Sequence, residues 1–267
     1  MAKTTLSQRA LTLRNKKTIH LRQHFFDTPV PQPNLGRVLN KPHTPGRRHA
    51  DLSGMKVWPC SLRFLDLLVH AELPQTRQQY VKKNEKETPL LNLLELGAGA
   101  GLLGIGLAAS CDNIRVVTTD PGLIVSVEDG NTDTLTWLRL NVEANRHLFE
   151  NRLVTAEQLL WGEEEHICKL MQSHPTFDII LGCELLYDPD QYGALITTLD
   201  AFLLRGNFAL LAYSKRHDGE HRFLQMASDQ FAVVDTREFA ANPEAGTPAW
   251  AITRIGKDSL LGSSSEM

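Results

Sequence analysis

The sequence predicts an α/β fold in which helices cover both faces of a mostly parallel sheet. From residue 90 onwards, short apolar segments alternate with segments of helical periodicity, the pattern of a doubly wound sheet. The run LLNLLEL (90–96) is almost continuously apolar, as is typical of a parallel strand buried on both faces. Glycines at 97, 99 and 101 follow at once, where a strand-to-helix turn of such a sheet binds ligands.

Length and composition fit one large globular domain. The chain has 267 residues, of which 42% are hydrophobic and 22% charged. We expect a partly ordered basic arm over 1–53, a domain over 54–257 and a flexible tail over 258–267. No segment suits a transmembrane helix or a signal peptide, so no membrane partner is expected. Cys60, Cys111, Cys168 and Cys183 form no CxxC pair, which favours a reducing compartment and gives no metal site.

Charge is distributed unevenly along the chain. Residues 1–50 carry ten Lys and Arg against one acid, a net charge of +9, whereas the remainder carries −12. A basic arm on an acidic body can indicate nucleic acid, an acidic partner or a transit peptide, and a solvated leader is the simpler interpretation. Nucleic acid is therefore not expected as a partner, and the arm is the one segment that could bind it. The alternation in TIHLRQHFF (18–26) predicts a strand, so part of the arm should fold.

The segments ahead of the glycine turn are predicted to be a linker, a helix and a surface loop. Prolines and glycines over 31–54 predict a linker. The apolar spacing in WPCSLRFLDLLVH (58–70) predicts a helix with Pro59 in its first turn. The polar stretch 74–89 predicts a surface loop.

The segments after the turn alternate in type. We expect a helix over 102–110, a strand over 123–129, and a helix over 131–149 with Asn131 as its N-cap. The remaining strands are expected at 152–159, 177–184, 207–214, 231–239 and 249–256, and the remaining helices at 191–204 and 221–228. Only a loop separates the last two strands, which predicts an antiparallel hairpin at one edge of the sheet.

The spacing of the glycines distinguishes between two nucleotide-binding motifs. The dinucleotide-binding motif is GxGxxG, and it begins directly after the strand. Counted from Gly97, its third glycine is replaced by Leu102. Counted from Gly99 the motif is complete, but it then begins two residues too far from the strand. This register disfavours a nicotinamide-dependent oxidoreductase. ELGAGAG resembles motif I of class I S-adenosylmethionine-dependent methyltransferases. That resemblance implies that S-adenosylmethionine binds at Glu95, Gly97, Ala98, Gly99 and Gly101.

An acidic side chain at the end of the second strand should hold the ribose hydroxyls of the cofactor, and two are candidates. Asp120 in VVTTD lies 19 residues after Gly101, the usual spacing. Asp129 in VSVEDGN lies directly before the predicted N-cap, where the carboxyl end of a strand is expected. The predicted strand over 123–129 favours Asp129, and Asp120 stays open as the alternative.

Three further motifs narrow the resemblance. Trp58 opens the helix ahead of motif I, Trp161 follows a predicted strand in QLLWGEEE, and Glu184-Leu-Leu-Tyr187 ends the strand at 177–184. Together they are similar to the seven-β-strand protein methyltransferases of family 16, whose hallmark is (D/E)xx(Y/F) at that place. The similarity covers roughly residues 54–256. The chain departs from the family pattern in its longer stretch around 120–129 and in its basic leader.

The resemblance also implies roles for individual residues and for the whole chain. Trp58, Trp161 and Cys183 would line the cofactor, Glu184 would orient a lysine amine, and Tyr187 would form the wall of an aromatic channel. We therefore expect a Rossmann-like, seven-stranded class I methyltransferase that modifies a protein at lysine, as a monomer in the cytoplasm or the nucleus. The alternatives are a methyltransferase for another acceptor, including a small molecule, and a non-catalytic binding module of the same fold.

Overall fold

The structure, a computed structural model, describes residues 4–26, 56–80, 89–127, 130–149, 154–215, 219–241 and 248–258. Eleven strands occur in these ranges: β1 Thr4–Thr12, β2 Thr18–Phe26, β3 Leu91–Leu96, β4 Ile114–Asp120, β5 Ile124–Val127, β6 Gly130–Asp133, β7 Val154–Gln158, β8 Ile179–Cys183, β9 Phe208–Ser214, β10 Val233–Phe239 and β11 Trp250–Gly256. Seven α-helices accompany them there: α1 Pro59–Leu67, α2 Leu73–Tyr80, α3 Leu102–Ser110, α4 Thr134–Ala144, α5 Glu164–Ser173, α6 Tyr192–Phe202 and α7 Gly219–Gln230.

Seven of the strands form the central sheet, in the order β10-β11-β9-β8-β3-β4-β7. The five strands from β9 to β7 run parallel, whereas β11 is antiparallel to β9 and β10 to β11. This confirms the predicted parallel sheet with an antiparallel hairpin at one edge. The strand order reverses direction between β3 and β8, which makes the carboxyl ends of these two strands the topological switch point.

Helices cover both faces of the sheet and create two cores. Side chains of α1, α3 and α4 form one core with one face of the sheet, and side chains of α5, α6 and α7 form the other with the opposite face. The pleat of β3 explains this division, because Leu93 faces the first core and Leu94 faces the second. Both side chains are fully buried, as the apolar run at 90–96 predicted.

Several local expectations are wrong. The predicted loop at 74–89 contains α2, and the segment after Trp161 contains α5, which was not predicted. The predicted strand at 123–129 is not part of the central sheet: residues 124–127 form β5, which pairs only with β6 among the described strands. The strand of the sheet in this region is β4, which ends at Asp120. The N-cap of α4 is Asp133 rather than Asn131, and its carboxylate accepts from the Thr136 amide at 2.7 Å.

The predicted strand over 18–26 exists as β2, and it forms a hairpin with β1, a strand not predicted from the sequence. Ile19 and Leu21 of β2 are fully buried in the core beneath α4. Two buried asparagines bind the backbone of β2: Asn141 in α4, and Asn145 at the C-cap of that helix. Asn145 accepts from the His20 amide at 2.7 Å and donates to the His20 carbonyl at 2.7 Å, and Asn141 accepts from the Arg22 amide at 2.8 Å. The hairpin is thereby fixed to the central domain by backbone recognition.

We expect Asn145→Ala to lower the free energy of unfolding by about 1–3 kcal/mol, because it leaves a backbone donor and acceptor of His20 without their partner. Leu140→Ala is the control: Leu140 lies on the exposed side of α4, and we expect a change within about 0.5 kcal/mol. Urea unfolding of both variants measures the difference. Equal stabilities would show that the hairpin does not depend on the asparagine contacts.

Candidate functional site

The candidate site lies at the carboxyl edge of the sheet, where β3 and β8 end side by side. Gly97 to Gly101 follow β3, and Glu184 to Tyr187 follow β8. Parallel strands bring both segments to the same edge, and the reversal of strand order opens a crevice between them. The structure therefore brings together the two motifs that the sequence analysis singled out.

The turn after β3 requires glycine for its backbone conformation. Gly97, Gly99 and Gly101 have φ of 58°, 54° and 83°, in the left-handed region that side chains disfavour. At Gly97 space is also limited, since an added Cβ would lie 2.8 Å from Leu185 Cδ2 and 3.2 Å from Trp161 Cζ2. The turn then enters α3 at Leu102, which presents the amino end of a helix to the crevice.

Four hydrogen bonds from neighbouring elements hold this turn and the first turn of α3. Gly99 N donates to Asp120 Oδ2 at 3.2 Å, and Gly104 N in the first turn of α3 donates to Glu95 Oε2 at 3.0 Å. Asn141 Nδ2 donates to the Ala100 carbonyl at 2.9 Å. The Ala98 amide donates to the Thr119 carbonyl at 2.8 Å, which ties the turn to β4 as well.

Asp120 lies at the carboxyl end of β4, directly beside the glycine turn. Its carboxylate is 5% exposed and accepts from the amides of Gly99 and Gly122 and from the Thr134 hydroxyl. Burial raises the pKa of Asp120, and these three hydrogen bonds oppose the rise. The ground for favouring Asp129 was wrong, because the described residues 124–127 of the predicted strand form β5, outside the central sheet. Asp129 itself lies outside the described residues.

Glu95 lies on β3 with its side chain turned toward α3. The carboxyl group is 2% exposed and is bound by the Gly104 amide. Burial raises the pKa of Glu95 from 4.5 to about 8, and the nearby Asp120 adds to the rise. Glu95 thus binds the first turn of α3 from the neighbouring strand β3.

Two tryptophans were predicted to line a cofactor. Trp58 is the N-cap of α1 and is half-buried, with Lys56 Nζ 4.9 Å from the centroid of its ring. Trp161 follows β7, and its ring reaches the glycine turn at Gly97. Its indole Nε1 is buried and finds no hydrogen-bond acceptor within the described ranges. A buried N–H without a partner is costly, and this one belongs to a ring that reaches the glycine turn.

Cys183 ends β8 next to α1. Its thiol accepts a hydrogen bond from Ser61 Oγ at 3.4 Å. Burial, followed by the neighbouring Cys60, raises the pKa of the Cys183 thiol above its usual value. A thiol of this kind stays protonated at neutral pH and is a poor nucleophile, which argues against a nucleophilic role for Cys183.

The segment after β8 has two buried apolar side chains and two polar side chains that are less buried. Leu185 and Leu186 are buried, whereas Glu184 is half-buried and Tyr187 is 54% exposed. Glu184 has a φ of 60°, an uncommon conformation for a residue with a side chain. Strained backbone of this kind concentrates at functional sites, where surrounding contacts enforce it. Here the Glu184 amide donates to the Ala212 carbonyl at 2.8 Å.

Three residues of this edge were missed from the sequence. Leu185 packs against Gly97, Asn141 holds the Ala100 carbonyl, and Ser214 binds the carboxylate of Glu184. A signal existed for Asn141, since it lies one turn from Asn145 on the helical face that buries Leu138 and Val142. A serine at the end of an apolar strand gives no comparable signal.

The described ranges lack two kinds of feature. No group of three or more His, Cys, Asp or Glu side chains there could hold a metal ion. No helix there combines the length and the apolar character needed to cross a membrane. All four cysteines are free thiols.

Comparison with known proteins identifies the family. The sequence profile described as lysine methyltransferase matches residues 47–230, which is more than half of the chain. The chain belongs to the lysine methyltransferase family. The match contains the glycine turn, Asp120, Trp161 and the segment Glu184–Tyr187, and so covers both motifs of the site.

Curated relatives are 27–30% identical to this lysine methyltransferase family member over the residues that align. Protein N-lysine methyltransferase METTL21A of Mus musculus is 30% identical over 155 residues, covering 58% of this chain and 63% of that protein. Histidine protein methyltransferase 1 homolog of Mus musculus is 28% identical over 220 residues, covering 71% of this chain and 54% of that protein. Calmodulin-lysine N-methyltransferase of Arabidopsis thaliana is 27% identical, covering 51% and 41%. The chain thus spans less than two thirds of the length of these relatives.

Solved structures agree on the fold. A SAM-dependent methyltransferase from Agrobacterium tumefaciens superposes with a TM-score of 0.50 at 13% identity, covering 94% of this chain and 70% of that one. The human methyltransferase 10 domain containing protein gives 0.50 at 14% identity, covering 76% and 85%. At this identity the likeness shows a shared class I methyltransferase fold.

We expect the stability of this family member to fall as pH rises through the range set by Glu95. Between pH 4.5 and about 8 the carboxyl is ionised in the unfolded chain and protonated in the folded one, so unfolding releases a proton. The contribution of Glu95 therefore decreases with pH, at up to about 1.4 kcal/mol per pH unit, and levels off above pH 8. Glu95→Gln keeps the shape and the acceptor for Gly104 but removes the titration.

Urea unfolding of wild type and Glu95→Gln from pH 5 to 9 tests this expectation. The difference in unfolding free energy between the two proteins should move in favour of Glu95→Gln as pH rises. Parallel curves across this range would show that the buried carboxyl does not retain its proton on folding.

Proposed function

We propose that this chain is an S-adenosylmethionine-dependent methyltransferase that acts on the amine of a lysine side chain in a protein. The observation that carries the proposal is the position of Glu184. A carboxylate held in a strained turn at the end of β8 lies across the crevice from a glycine turn, in a chain of the lysine methyltransferase family. Relatives named as protein N-lysine and calmodulin-lysine methyltransferases support the choice of lysine and of a protein substrate.

The residues present fit the cofactor in three respects. Left-handed glycines leave the backbone of the turn open to close approach by a ligand. Asp120 supplies a carboxylate beside Gly99, and Oδ2 accepts one hydrogen bond within the described residues, so it retains capacity for a ribose hydroxyl. The buried Nε1 of Trp161 supplies a donor. We therefore assign the cofactor to the glycine turn, Asp120, Trp58 and Trp161, with Cys183 at the wall.

The chemistry is divided between the cofactor and the side chains after β8. When bound, S-adenosylmethionine supplies a methyl group activated by the sulfonium charge. A lysine ammonium, with a pKa near 10.4, has no lone pair and must release a proton to solvent water before it can attack. We assign Glu184 to accept hydrogen bonds from the N–H groups of the amine. These bonds hold the lone pair of the amine nitrogen in line with the methyl group. We assign the exposed ring of Tyr187 to the wall along which the lysine side chain enters.

The wider setting of the proposal is that of a monomer in the cytoplasm or the nucleus. Free thiols at all four cysteines suit a reducing compartment. Histidine is the second candidate acceptor, because a relative named as a histidine protein methyltransferase matches 71% of this chain.

A single experiment tests the activity and identifies the acceptor. The purified chain is incubated with S-adenosylmethionine carrying a labelled methyl group and a lysate from cells that lack the gene. We expect a labelled product that protease destroys and nuclease spares, with the label on lysine by mass spectrometry. Label on histidine would replace lysine as the acceptor, and label only in small molecules would overturn the protein substrate. Cofactor binding without any transfer would favour a non-catalytic module.

We expect Asp120→Ala to weaken S-adenosylmethionine binding by about 2–4 kcal/mol, because hydrogen bonds to a charged group contribute about 1.5–3 kcal/mol each and are partly offset. Asp129→Ala is the matched control, since it removes the other candidate carboxylate. Calorimetric titration of both variants measures the effect. A larger loss from Asp129→Ala would transfer the ribose contact to Asp129, and equal small losses would exclude both.

Glu184→Ala should lower turnover on the order of 100-fold while leaving cofactor affinity close to that of wild type. The reason is that its contact is made with the attacking amine and not with the adenosyl group. Glu184→Gln keeps shape without charge and should give an intermediate rate, and Glu184→Asp should retain part of the activity. Single-turnover transfer and cofactor titration on the same preparations provide the data. Wild-type turnover in Glu184→Ala would remove Glu184 from the site.

A further inference from the structure

Ser214 binds the side chain of Glu184 from a neighbouring strand. Ser214 is the last residue of β9 and is 4% exposed. Its backbone N–H donates to Glu184 Oε1 at 3.2 Å, and its hydroxyl donates to the same oxygen. The two residues are 30 positions apart in the chain, so the contact exists only in the folded protein.

The register of the sheet explains why a residue at 214 can reach this carboxylate. Cys183, the last residue of β8, pairs with Ala212 of β9. Beyond that pair β8 turns away, whereas β9 continues for two residues and pairs only with β11, where Ser214 faces Trp250. Ser214 thus protrudes past the end of β8, at the level where Glu184 begins its left-handed turn.

We propose that Ser214 is the positioning residue of the transfer reaction, which fixes the carboxylate of Glu184 in the orientation that receives the substrate amine. The inference rests on the proposed function, since Ser214 acts only through the role proposed for Glu184. Both donors of Ser214 bind Oε1, which holds the carboxylate against the end of β9. A free glutamate side chain has three rotatable bonds, and this anchoring removes most of that freedom before the substrate arrives.

A purely structural role for Ser214 makes a different prediction. If the hydroxyl only satisfied a half-buried carboxylate, its loss would lower stability and leave turnover per folded molecule unchanged. If it positions the carboxylate, its loss lowers kcat, with little change in KM for the protein or in cofactor affinity. The loss should also depend on Glu184, because Ser214 acts only through that side chain.

The test compares Ser214→Ala, Ser214→Cys and Ser214→Thr in the full chain, with the labelled-methyl assay and the acceptor protein that it identifies. We expect Ser214→Ala to lower kcat on the order of 10-fold, with KM and cofactor Kd within about two-fold of wild type. Ser214→Thr retains the hydroxyl and should restore most of kcat. Ser214→Cys retains a weak donor of similar size and should fall between them, and it also serves if the alanine variant does not fold.

Thr253→Ala is the matched control. Thr253 is fully buried on the neighbouring strand β11, and its hydroxyl bonds to Tyr213 and Thr236, not to Glu184. We expect it to lose stability and keep the wild-type kcat. In a Glu184→Ala background, Ser214→Ala should cause no further loss, since the two residues act as one unit.

The outcomes separate the two proposals. Wild-type kcat in Ser214→Ala, or in Ser214→Cys if the alanine variant does not fold, with a low kcat in Glu184→Ala, overturns the positioning role and keeps the catalytic assignment. Losses that multiply in the double variant overturn it too, because they show that Ser214 acts independently of Glu184. Wild-type kcat in Glu184→Ala overturns the proposed role of Glu184 and with it this inference.

Discussion

The turn between β3 and α3 is the constraint on which the rest of the site depends. Three glycines with positive φ give it a shape that has little intrinsic stability, so the turn must be held from outside. Asp120 binds Gly99 from β4, Asn141 binds Ala100 from α4, and Glu95 binds Gly104 from β3. Asn141 also binds Arg22 of the hairpin, so the same side chain joins the N-terminal segment to the turn. Side chains from β3, β4 and α4 thus hold this one loop in place.

This arrangement imposes costs on the folded state. Burial raises the pKa values of Glu95 and Asp120, so both carboxyl groups are harder to ionise in the folded protein than in water. Glu184 adds a left-handed backbone conformation with a side chain attached. These buried carboxyl groups and this unfavourable backbone conformation lie together at one edge of the sheet, whereas the two cores are built from apolar side chains. Such a concentration is expected where a binding and reacting geometry has been favoured over stability.

The sequence predicted what periodicity and spacing control. The apolar run before Gly97, the alternation that follows and the edge hairpin were predicted correctly, because buried strands and amphipathic helices have distinct patterns. The strand at 123–129 was wrong because β5 and β6 form a short separate hairpin whose composition resembles that of a sheet strand. The helix α2 was missed because its residues are mostly polar and its support comes from contacts such as Arg77 with the Asp112 carbonyl. Contacts between distant residues, such as Ser214 with Glu184, have no local pattern at all.

In the proposed reaction, the segment that follows β8 selects the acceptor group, whereas the glycine turn binds the cofactor. A histidine imidazole, with a pKa near 6.5, is largely neutral at pH 7 and already has a free lone pair. An arginine guanidinium never loses its proton unaided and needs strong acidic support. A lysine amine lies between these cases: it must be deprotonated, and then its remaining N–H groups need an acceptor to aim the lone pair. One carboxylate held at a fixed angle meets that need, which is why the anchoring of Glu184, and not its charge alone, fits lysine.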